Sequence, residues 1–142
     1  MPVPADPFWR EFIDALPAKT AKIATVAADG SPRVTPIWVA LDGDDVMFTT
    51  HETSAKAKAL ARNPGVALCF DDEQPPFTYV IVRGEASMSD DLEQLRHWAT
   101  ILGGRYMGAG RADEYGARNG IPGELLMRVR PSKVIIARDI AS

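Results

Sequence analysis

Residues 49–60 read TTHETSAKAKAL, and this segment decides how the chain is interpreted. The pattern predicts the end of a strand, a hydroxyl-rich turn and the first turns of a helix. Lys56 and Lys58 fall where the helix macrodipole disfavours a cation by roughly 0.3–1 kcal/mol. Backbone N–H groups, hydroxyls and ammonium groups at one helix N-terminus favour an anion such as a phosphate. The segment therefore indicates a phosphorylated cofactor, with a solvated helix face as the alternative interpretation.

Length and composition limit the classes of protein that fit. The 142 residues suit one domain, 1–142, with 46% apolar and 25% charged residues, as in soluble globular proteins. A net charge of −3 argues against a nucleic-acid or anionic-membrane binder. No apolar run approaches the roughly 18 residues of a membrane span. Cys69 is the single cysteine, which excludes an internal disulfide and favours a reducing compartment, so we expect a cytoplasmic protein.

Turn residues and apolar periodicity predict alternating strands and helices. The predicted helices are Pro7–Leu16 with Asp6 as N-cap, the lysine helix after Ser54, a helix opened by Asp90 and ended by Gly103-Gly104, and Ala112–Asn119. The predicted strands are Thr20–Ala28, Val34–Leu41, Val46–Thr50, Val66–Phe70, Phe77–Met88, Gly123–Val129 and Lys133–Ala137. The first three strands should form an antiparallel meander. Together these elements predict an α+β, mainly β, small antiparallel barrel.

Three details of this prediction can be checked directly. Pro36 lacks a backbone N–H, so its strand should lie at a sheet edge or carry a bulge. The continuous apolar run 66–70 predicts a strand buried on both faces, with Cys69 in the core. The helix after Asp90 should bury one apolar face, formed by Leu92, Leu95, Ala99 and Leu102.

Several kinds of catalytic motif are missing from the sequence. With one cysteine and two histidines, no cluster has zinc-ligand spacing, so we predict no metal site. We expect both histidines, His51 and His97, at the surface. No nucleophile elbow, P-loop or dinucleotide-binding glycine motif occurs. What is left is binding of a cofactor that carries its own reactivity.

The order of motifs resembles the pyridoxamine 5'-phosphate oxidase-like split β-barrel superfamily. It is most similar to the deazaflavin (F-420)-dependent branch, the flavin/deazaflavin oxidoreductases of type B. The matching pieces are residues 22–26, 29–32, 36–38, 49–50, 54–58, 62–64 and 79–85. The resemblance covers nearly the whole chain and implies a split antiparallel β-barrel, the FMN-binding type.

The resemblance also implies a homodimer with two cofactor sites at the subunit interface. The cofactor-binding residues it implies are Thr49, Thr50, Ser54, Lys56 and Lys58 for the phosphate, Pro36, Ile37 and Trp38 for the ring system, and Phe77 from the partner subunit. The segment Arg105–Glu124 is expected to cover the substrate pocket. The C-terminal region does not match that of pyridoxamine phosphate oxidase itself, so that reaction is not the expected one.

The function predicted on this basis is hydride transfer between coenzyme F-420 and a small unsaturated organic substrate. No side chain is predicted to be catalytic, and a proton could come from water, Tyr106 or Tyr115. One alternative is an FMN-dependent flavin reductase or oxidase of the same fold. Another is a non-catalytic protein that binds F-420, haem or another tetrapyrrole.

Overall fold

A rolled antiparallel sheet flanked by helices forms the computed structural model, which describes residues 3–142. The helices are α1 (Phe8–Asp14), α2 (Ala55–Arg62), α3 (Leu92–Met107) and α4 (Ala112–Asn119), with a 3-10 turn at Ala109–Arg111. The strands are β1 (Ala21–Val26), β2 (Pro32–Ile37), β3 (Ala40–Asp42), β4 (Asp45–His51), β5 (Gly65–Asp71), β6 (Tyr79–Ser89) and β7 (Glu124–Ala137). They are ordered β2-β1-β5-β6-β7-β4-β3, and the sheet is not closed. This confirms the α+β, mainly β, split-barrel prediction.

The predicted strand 34–41 is wrong, because the chain leaves one edge of the sheet and joins the other. Ile37 at the end of β2 pairs with Ala21 of β1. Ala40 at the start of β3 pairs with Met47 of β4. The predicted three-strand meander is therefore wrong as well. This part of the chain forms two hairpins, β1–β2 and β3–β4, at opposite edges of the sheet.

Side chains from α3 explain why the strand breaks. Val39 donates its N–H to Tyr106 Oη at 3.0 Å, and its carbonyl accepts from Arg105 Nε at 3.0 Å. These backbone groups are thus satisfied by side chains instead of a neighbouring strand. Pro36 lies in the edge strand β2, as its missing N–H predicted.

The last two predicted strands are one long strand, β7, that carries a bulge. Arg83 pairs with Lys133 and Gly84 with Pro131, which leaves Ser132 as an extra residue on β7. A bulge accommodates proline because its missing N–H interrupts the ladder there anyway. The predicted number of strands is still seven, since splitting one strand and merging two others cancel.

Strand β5 is buried on one face, not on both as predicted. Val66, Leu68 and Phe70 are buried, whereas the alternate residues are half-buried. Cys69 lies on the half-buried face, so its assignment to the core is wrong. In residues 3–142 no helix covers the outer face of the sheet at that position, and a run of apolar residues in the sequence could not show this.

The start of α3 differs from the prediction by one residue. Asp91 is the N-cap, and its carboxylate accepts a hydrogen bond from the Gln94 N–H at 3.1 Å. The predicted cap, Asp90, is therefore wrong. Leu92 is 47% exposed, because it precedes the part of the helix that faces the sheet, while the other three residues of the predicted apolar face are buried.

Helix α3 also continues past the glycines that were predicted to end it. It runs through Gly103 and Gly104 to Met107. A Cβ at Gly103 would overlap the Cβ of Tyr115 on α4. The glycine therefore permits close packing of α3 against α4, while the predicted α4, Ala112–Asn119, is confirmed.

The core fills the inside of the rolled sheet beneath α1. Its fully buried members include Trp9, Ile13, Val39, Val46, Phe48, Leu68, Phe70, Val80, Val82, Met127 and Val129. Helix α1 confirms the first predicted helix, although it is shorter. Its N-cap is Pro7 and not the predicted Asp6, although the Asp6 carboxylate accepts from the Phe8 N–H at 2.9 Å. Among the residues described, no helix has both the length and the apolar character needed to cross a membrane.

Candidate cofactor site

The N-terminus of α2 has free backbone donors. Ser54 is the N-cap; its Oγ accepts from the Ala57 N–H at 3.1 Å and lies 2.7 Å from Thr50 Oγ1. Among the described residues, no acceptor bonds the N–H groups of Ala55 and Lys56. Helix N-termini with such unpaired N–H groups bind anions.

Two adjoining clefts open beside this N-terminus, and we name them the inner cleft and the outer cleft. The inner cleft, of about 100 Å³, is lined by Ile23, Thr25, Arg33, Val34, Thr35, Ala55 and Lys56. The outer cleft, of about 240 Å³, is lined by Arg33, Thr53, Ala55, Lys58 and Arg62. Because Arg33 and Ala55 line both clefts, the two form one continuous surface.

Pairing between β1 and β2 brings polar side chains of both strands to the inner cleft. Arg33 lies opposite Thr25, and Thr35 lies opposite Ile23, so the members of each pair share a face of the sheet. Thr25 is only 4% exposed and lines the cleft. No side-chain hydrogen bond of the described residues engages its hydroxyl, which leaves that hydroxyl available to a ligand.

Four cations surround the two clefts without an acidic partner. None of them lies within ion-pair distance of a carboxylate in the described part of the chain: Arg33, Lys56, Lys58 and Arg62. By contrast, Asp45 hydrogen-bonds Arg128 at 2.9 Å and raises the pKa of that guanidinium. A local excess of positive charge on a chain of net charge −3 marks this surface as a place for an anion.

The structure brings part of the predicted phosphate-binding set together. Ser54, Lys56 and Lys58 lie at or beside the clefts, and Thr50 supports Ser54 from β4. Thr49 faces the other side of β4, because it pairs with Leu126, which packs against α3. Its role in phosphate binding remains a prediction, although the geometry separates it from the other four residues.

The residues predicted for the ring system lie at the end of β2. Pro36 is exposed, whereas Ile37 is 8% exposed and belongs to the core. The Trp38 ring stacks on Tyr106, with centroids 5.2 Å apart and planes 2° apart, and meets the edge of Tyr115 at 5.7 Å. Ile37 can therefore contact a ligand only through its backbone.

Phe77 lies in the loop before β6, not in the strand where it was predicted. Its φ of 62° is unusual for a bulky residue, and its side chain is 41% exposed. Its carbonyl accepts from the Ile140 N–H at 2.9 Å. Phe77 lines neither cleft of its own chain, so its assignment to the partner's pocket stays a prediction.

Sequence reasoning missed Arg33, Thr25 and Thr35 as site residues. No local motif marks them, since they reach the site only through strand pairing and the packing of α2 on β1. For Arg62, the sequence does contain an indication of a role at the site. It follows Lys58 by four residues, a like-charge pair that destabilises a helix unless an anion is nearby.

The segment after Arg105 forms a helical hairpin that holds the β2–β3 connection. The Arg105 guanidinium donates to the carbonyls of Val39 at 3.0 Å, Ile13 at 3.1 Å and Asp14 at 3.1 Å. Ile13 and Asp14 belong to α1, and Val39 lies in the connection between β2 and β3. Arg105 therefore joins two separate parts of the chain. The expected cover over a substrate pocket is untested, but the hairpin contacts Trp38 through both tyrosines.

The Tyr106 hydroxyl is engaged at both its donor and its acceptor positions, whereas Tyr115 is held by packing. Tyr106 Oη donates to the Lys19 carbonyl at 2.6 Å and accepts from the Val39 N–H. Tyr115 is buried against α3, with the guanidinium groups of Arg111 and Arg118 over its ring at 5.1 and 5.4 Å. Both side chains hold the hairpin in place.

Two further clefts, of about 480 and 410 Å³, meet at an ion pair on the outer face of the sheet. Lys22 Nζ lies 3.0 Å from Asp71 Oδ1, so this cation is already paired. Burial, followed by the Asp71 charge, raises the pKa of the Cys69 thiol beside them. Among the described residues, no three or more His, Cys, Asp or Glu side chains are grouped to hold a metal ion.

Comparison with known proteins decides the family. The family model described as pyridoxamine 5'-phosphate oxidase matches residues 5–137. The chain belongs to this family. A curated relative, the pyridoxine/pyridoxamine 5'-phosphate oxidase of Kineococcus radiotolerans, is 33% identical over 113 residues, 76% of this chain and 50% of the relative. The chain thus spans about half the length of that relative.

Solved structures support the same fold. A conserved hypothetical protein from Mycobacterium tuberculosis has a TM-score of 0.82 at 20% identity, covering 98% of this chain and 89% of its own. A structure named F420 reductase has a TM-score of 0.65 at 28% identity, covering 82% and 89%. The heme storage protein of Vibrio cholerae has a TM-score of 0.71 at 21% identity, covering 92% and 93%. The family binds FMN or F-420 flavins in general, and its fold also occurs in a heme storage protein.

Proposed function

We propose that this protein is an oxidoreductase that transfers hydride between coenzyme F-420, a deazaflavin, and a small unsaturated organic substrate. The observation that carries the proposal is the group of uncompensated cations and free N–H groups at the N-terminus of α2. The similarity to the F420 reductase structure, at 28% identity, supports the choice of cofactor. FMN, the other flavin that the family binds, is the alternative cofactor.

The residues of the inner cleft suit the phosphate group that both cofactors carry. Arg33 and Lys56 provide positive charge, Ala55 and Lys56 provide backbone N–H donors, and Thr25 provides a buried hydroxyl. Charge-assisted hydrogen bonds of this kind are shorter and stronger than neutral ones. When bound, the cofactor supplies the hydride chemistry.

The protein's own side chains bind and orient in this proposal, and none acts as a nucleophile. Holding cofactor and substrate in a reactive arrangement is itself a large source of rate enhancement. Because the Tyr106 hydroxyl is engaged at both its donor and acceptor positions, we assign the proton that completes a reduction to a donor other than Tyr106. Trp38 is held by the hairpin at the end of β2, where the predicted ring-binding residues lie.

We further propose that the working unit is a homodimer. The outer face of the sheet exposes apolar side chains at an edge, with Val34 of β2 67% exposed and Val26 of β1 also exposed. Exposed large apolar residues grouped on one face favour association. Phe77, which projects from a loop outside its own clefts, would then border the partner's cofactor.

Titration with F-420 and with FMN, read by fluorescence, tests the proposed function. Lys56→Ala and Arg33→Ala should each weaken binding by about 1.5–3 kcal/mol, or about tenfold to 150-fold, if the side chain contacts the phosphate. Lys133→Ala is the matched control, because Lys133 is an exposed cation on β7 that lines neither cleft.

Unchanged dissociation constants in both cleft variants would show that the cofactor phosphate does not bind in the inner cleft. Tighter binding of FMN than of F-420 would favour FMN, the alternative, as the cofactor of this protein. Tight binding without turnover of any enone, quinone or biliverdin-like acceptor would instead favour a non-catalytic binding protein.

A further inference from the structure

Trp38 is held by the helical hairpin on two sides. Its indole lies parallel to the Tyr106 ring, with centroids 5.2 Å apart and planes 2° apart. The Tyr115 ring meets it edge-on, with centroids 5.7 Å apart and planes at 63°. Stacked and edge-on arrangements are both favourable for aromatic rings. The plane of the indole is therefore set by residues of α3 and α4 and not by its own strand.

The hairpin also fixes the backbone next to the indole. Val39 donates its N–H to Tyr106 Oη, and its carbonyl accepts from Arg105 Nε, both at 3.0 Å. The Tyr106 hydroxyl in turn donates to the Lys19 carbonyl at 2.6 Å. Tyr106 thus makes two separable contributions, because its hydroxyl anchors the backbone after Trp38 and its ring orients the indole.

Part of the indole is available to a ligand. The Trp38 side chain is half-buried, so some of its surface faces solvent. Among the described residues, only Tyr106 and Tyr115 place a ring against it, and no cation lies over it. A half-exposed indole whose plane is already fixed is a surface on which another flat ring can stack at little cost in conformational entropy.

Trp38 also lies within reach of a ligand whose phosphate is in the inner cleft. Thr35 of β2 lines that cleft, and Trp38 follows it by three residues. At about 3.3 Å per residue in a strand, the two are at most about 10 Å apart along the chain. Residues 32–36 of this edge strand are exposed, so an extended ligand can lie along them. The outer cleft, by contrast, has no aromatic residue in its lining.

We propose that Tyr106 is a positioning residue that acts through Trp38: its ring holds the indole in the plane on which the flat ring of a bound flavin or deazaflavin stacks. This inference rests on the proposed function. It divides recognition into two parts, with the inner cleft binding the phosphate and the Trp38–Tyr106 pair binding the ring system. The two parts can therefore be measured separately.

Fluorescence titration of variants of the pair with F-420 and with FMN tests the inference. Trp38→Leu and Tyr106→Leu should each weaken binding about three- to tenfold, since an aromatic pair contributes modestly beyond its buried area. Tyr106→Phe keeps the ring and should bind as the wild type does, although it loses the hydroxyl contacts. The affinity for inorganic phosphate, measured by competition, should not change in any of these variants. A partly folded variant would instead lose both affinities by the same factor.

A double-mutant cycle shows whether Tyr106 acts through Trp38. If it does, Trp38→Leu/Tyr106→Leu should bind no more weakly than either single variant. Independent contributions would multiply to a loss of about tenfold to a hundredfold, and that result would overturn the inference. If Tyr106→Leu fails to fold, Tyr106→Met takes its place, because it fills more of the space without restoring a ring; wild-type affinity in Tyr106→Met would equally overturn the inference.

Trp98→Leu is the matched control. Trp98 is another half-buried tryptophan, but it lies on α3 and packs against Met47, Leu95 and Leu126. The control variant should keep the wild-type affinity for both cofactors. A loss in this control as large as that in Trp38→Leu would overturn the assignment to the Trp38–Tyr106 pair.

Failure of this inference can be told apart from failure of the proposed function. Unchanged cofactor affinity in Trp38→Leu, with Lys56→Ala still weakening binding, would overturn the positioning role alone. An equal loss of affinity in Tyr106→Phe and Tyr106→Leu would also overturn it, because the ring would then not be the part that matters. Absence of binding of both F-420 and FMN to the wild-type protein would overturn the proposed function as well.

Discussion

Replacing Tyr106 by phenylalanine tests whether this tyrosine has a structural role or donates a proton in the reaction. The substitution removes one hydroxyl, which accepts from the Val39 N–H at 3.0 Å and donates to the Lys19 carbonyl at 2.6 Å. The ring stack on Trp38 is preserved, because phenylalanine has the same ring. The change therefore tests the hydrogen bonds at the β2–β3 connection and little else.

The expected loss follows from the burial of the groups that remain. Val39 is fully buried, so its N–H would be left without a partner, which costs about 1–3 kcal/mol. For a chain of this length, that loss corresponds to a decrease in Tm of about 3–10 °C. The folded variant should retain cofactor affinity and turnover, because the hydroxyl is not assigned to the reaction.

Urea unfolding followed by circular dichroism gives the free energy of unfolding of both proteins. Tyr79→Phe is the matched control, since Tyr79 is a half-buried tyrosine whose hydroxyl makes no side-chain hydrogen bond among the described residues; its stability should change by less than about 0.5 kcal/mol. Unchanged stability of Tyr106→Phe together with a large loss of turnover would refute the structural role and return Tyr106 to the reaction.

Two further predictions concern the helical hairpin and the first turn. Gly116→Ala should lower the free energy of unfolding by about 1–3 kcal/mol, measured by urea unfolding, because the new Cβ overlaps Thr100 Oγ1. Gly110→Ala, with open space around it, is the control and should be nearly neutral. Equal stability of the two variants would contradict the packing of α4 on α3. Hydrogen bonds from Ser31, the side chain first, lower the pKa of Asp29, so NMR titration should find this pKa raised towards the free value in Ser31→Ala. The stability from Asp29 is present above the unfolded-state pKa and is lost as pH falls through the folded-state pKa; an unchanged pKa in Ser31→Ala would argue against the turn geometry.

The elements that could be predicted from the sequence are those that depend on neighbours along the chain. The cap at Ser54 and the helix that follows it are local features, and both are present. The edge position of Pro36 follows from its missing N–H. In each case the physical cause lies within a few residues.

The errors arise where distant residues decide the outcome. The break in the predicted strand 34–41 depends on Arg105 and Tyr106, more than sixty residues later, which bind the backbone of Val39. The half-exposed position of Cys69 depends on which sheet face a helix covers. Neither cause leaves a mark in the local sequence.

The candidate site divides in the same way. Lys56 and Lys58 were predicted because their helix carries an unusual cluster of cations at its own N-terminus. Arg33 and Thr25 could not be predicted, because they come to the site through the β1–β2 register and the packing of α2. The helix half of the site could be read from the sequence, and the strand half could not.

A crystal structure of the protein with F-420 or FMN bound tests the central claim most directly. The account predicts the cofactor phosphate in the inner cleft, with its oxygens about 2.9 Å from the Ala55 and Lys56 N–H groups and within reach of Arg33. A phosphate seated elsewhere, for example beside the Lys22–Asp71 ion pair, would contradict it.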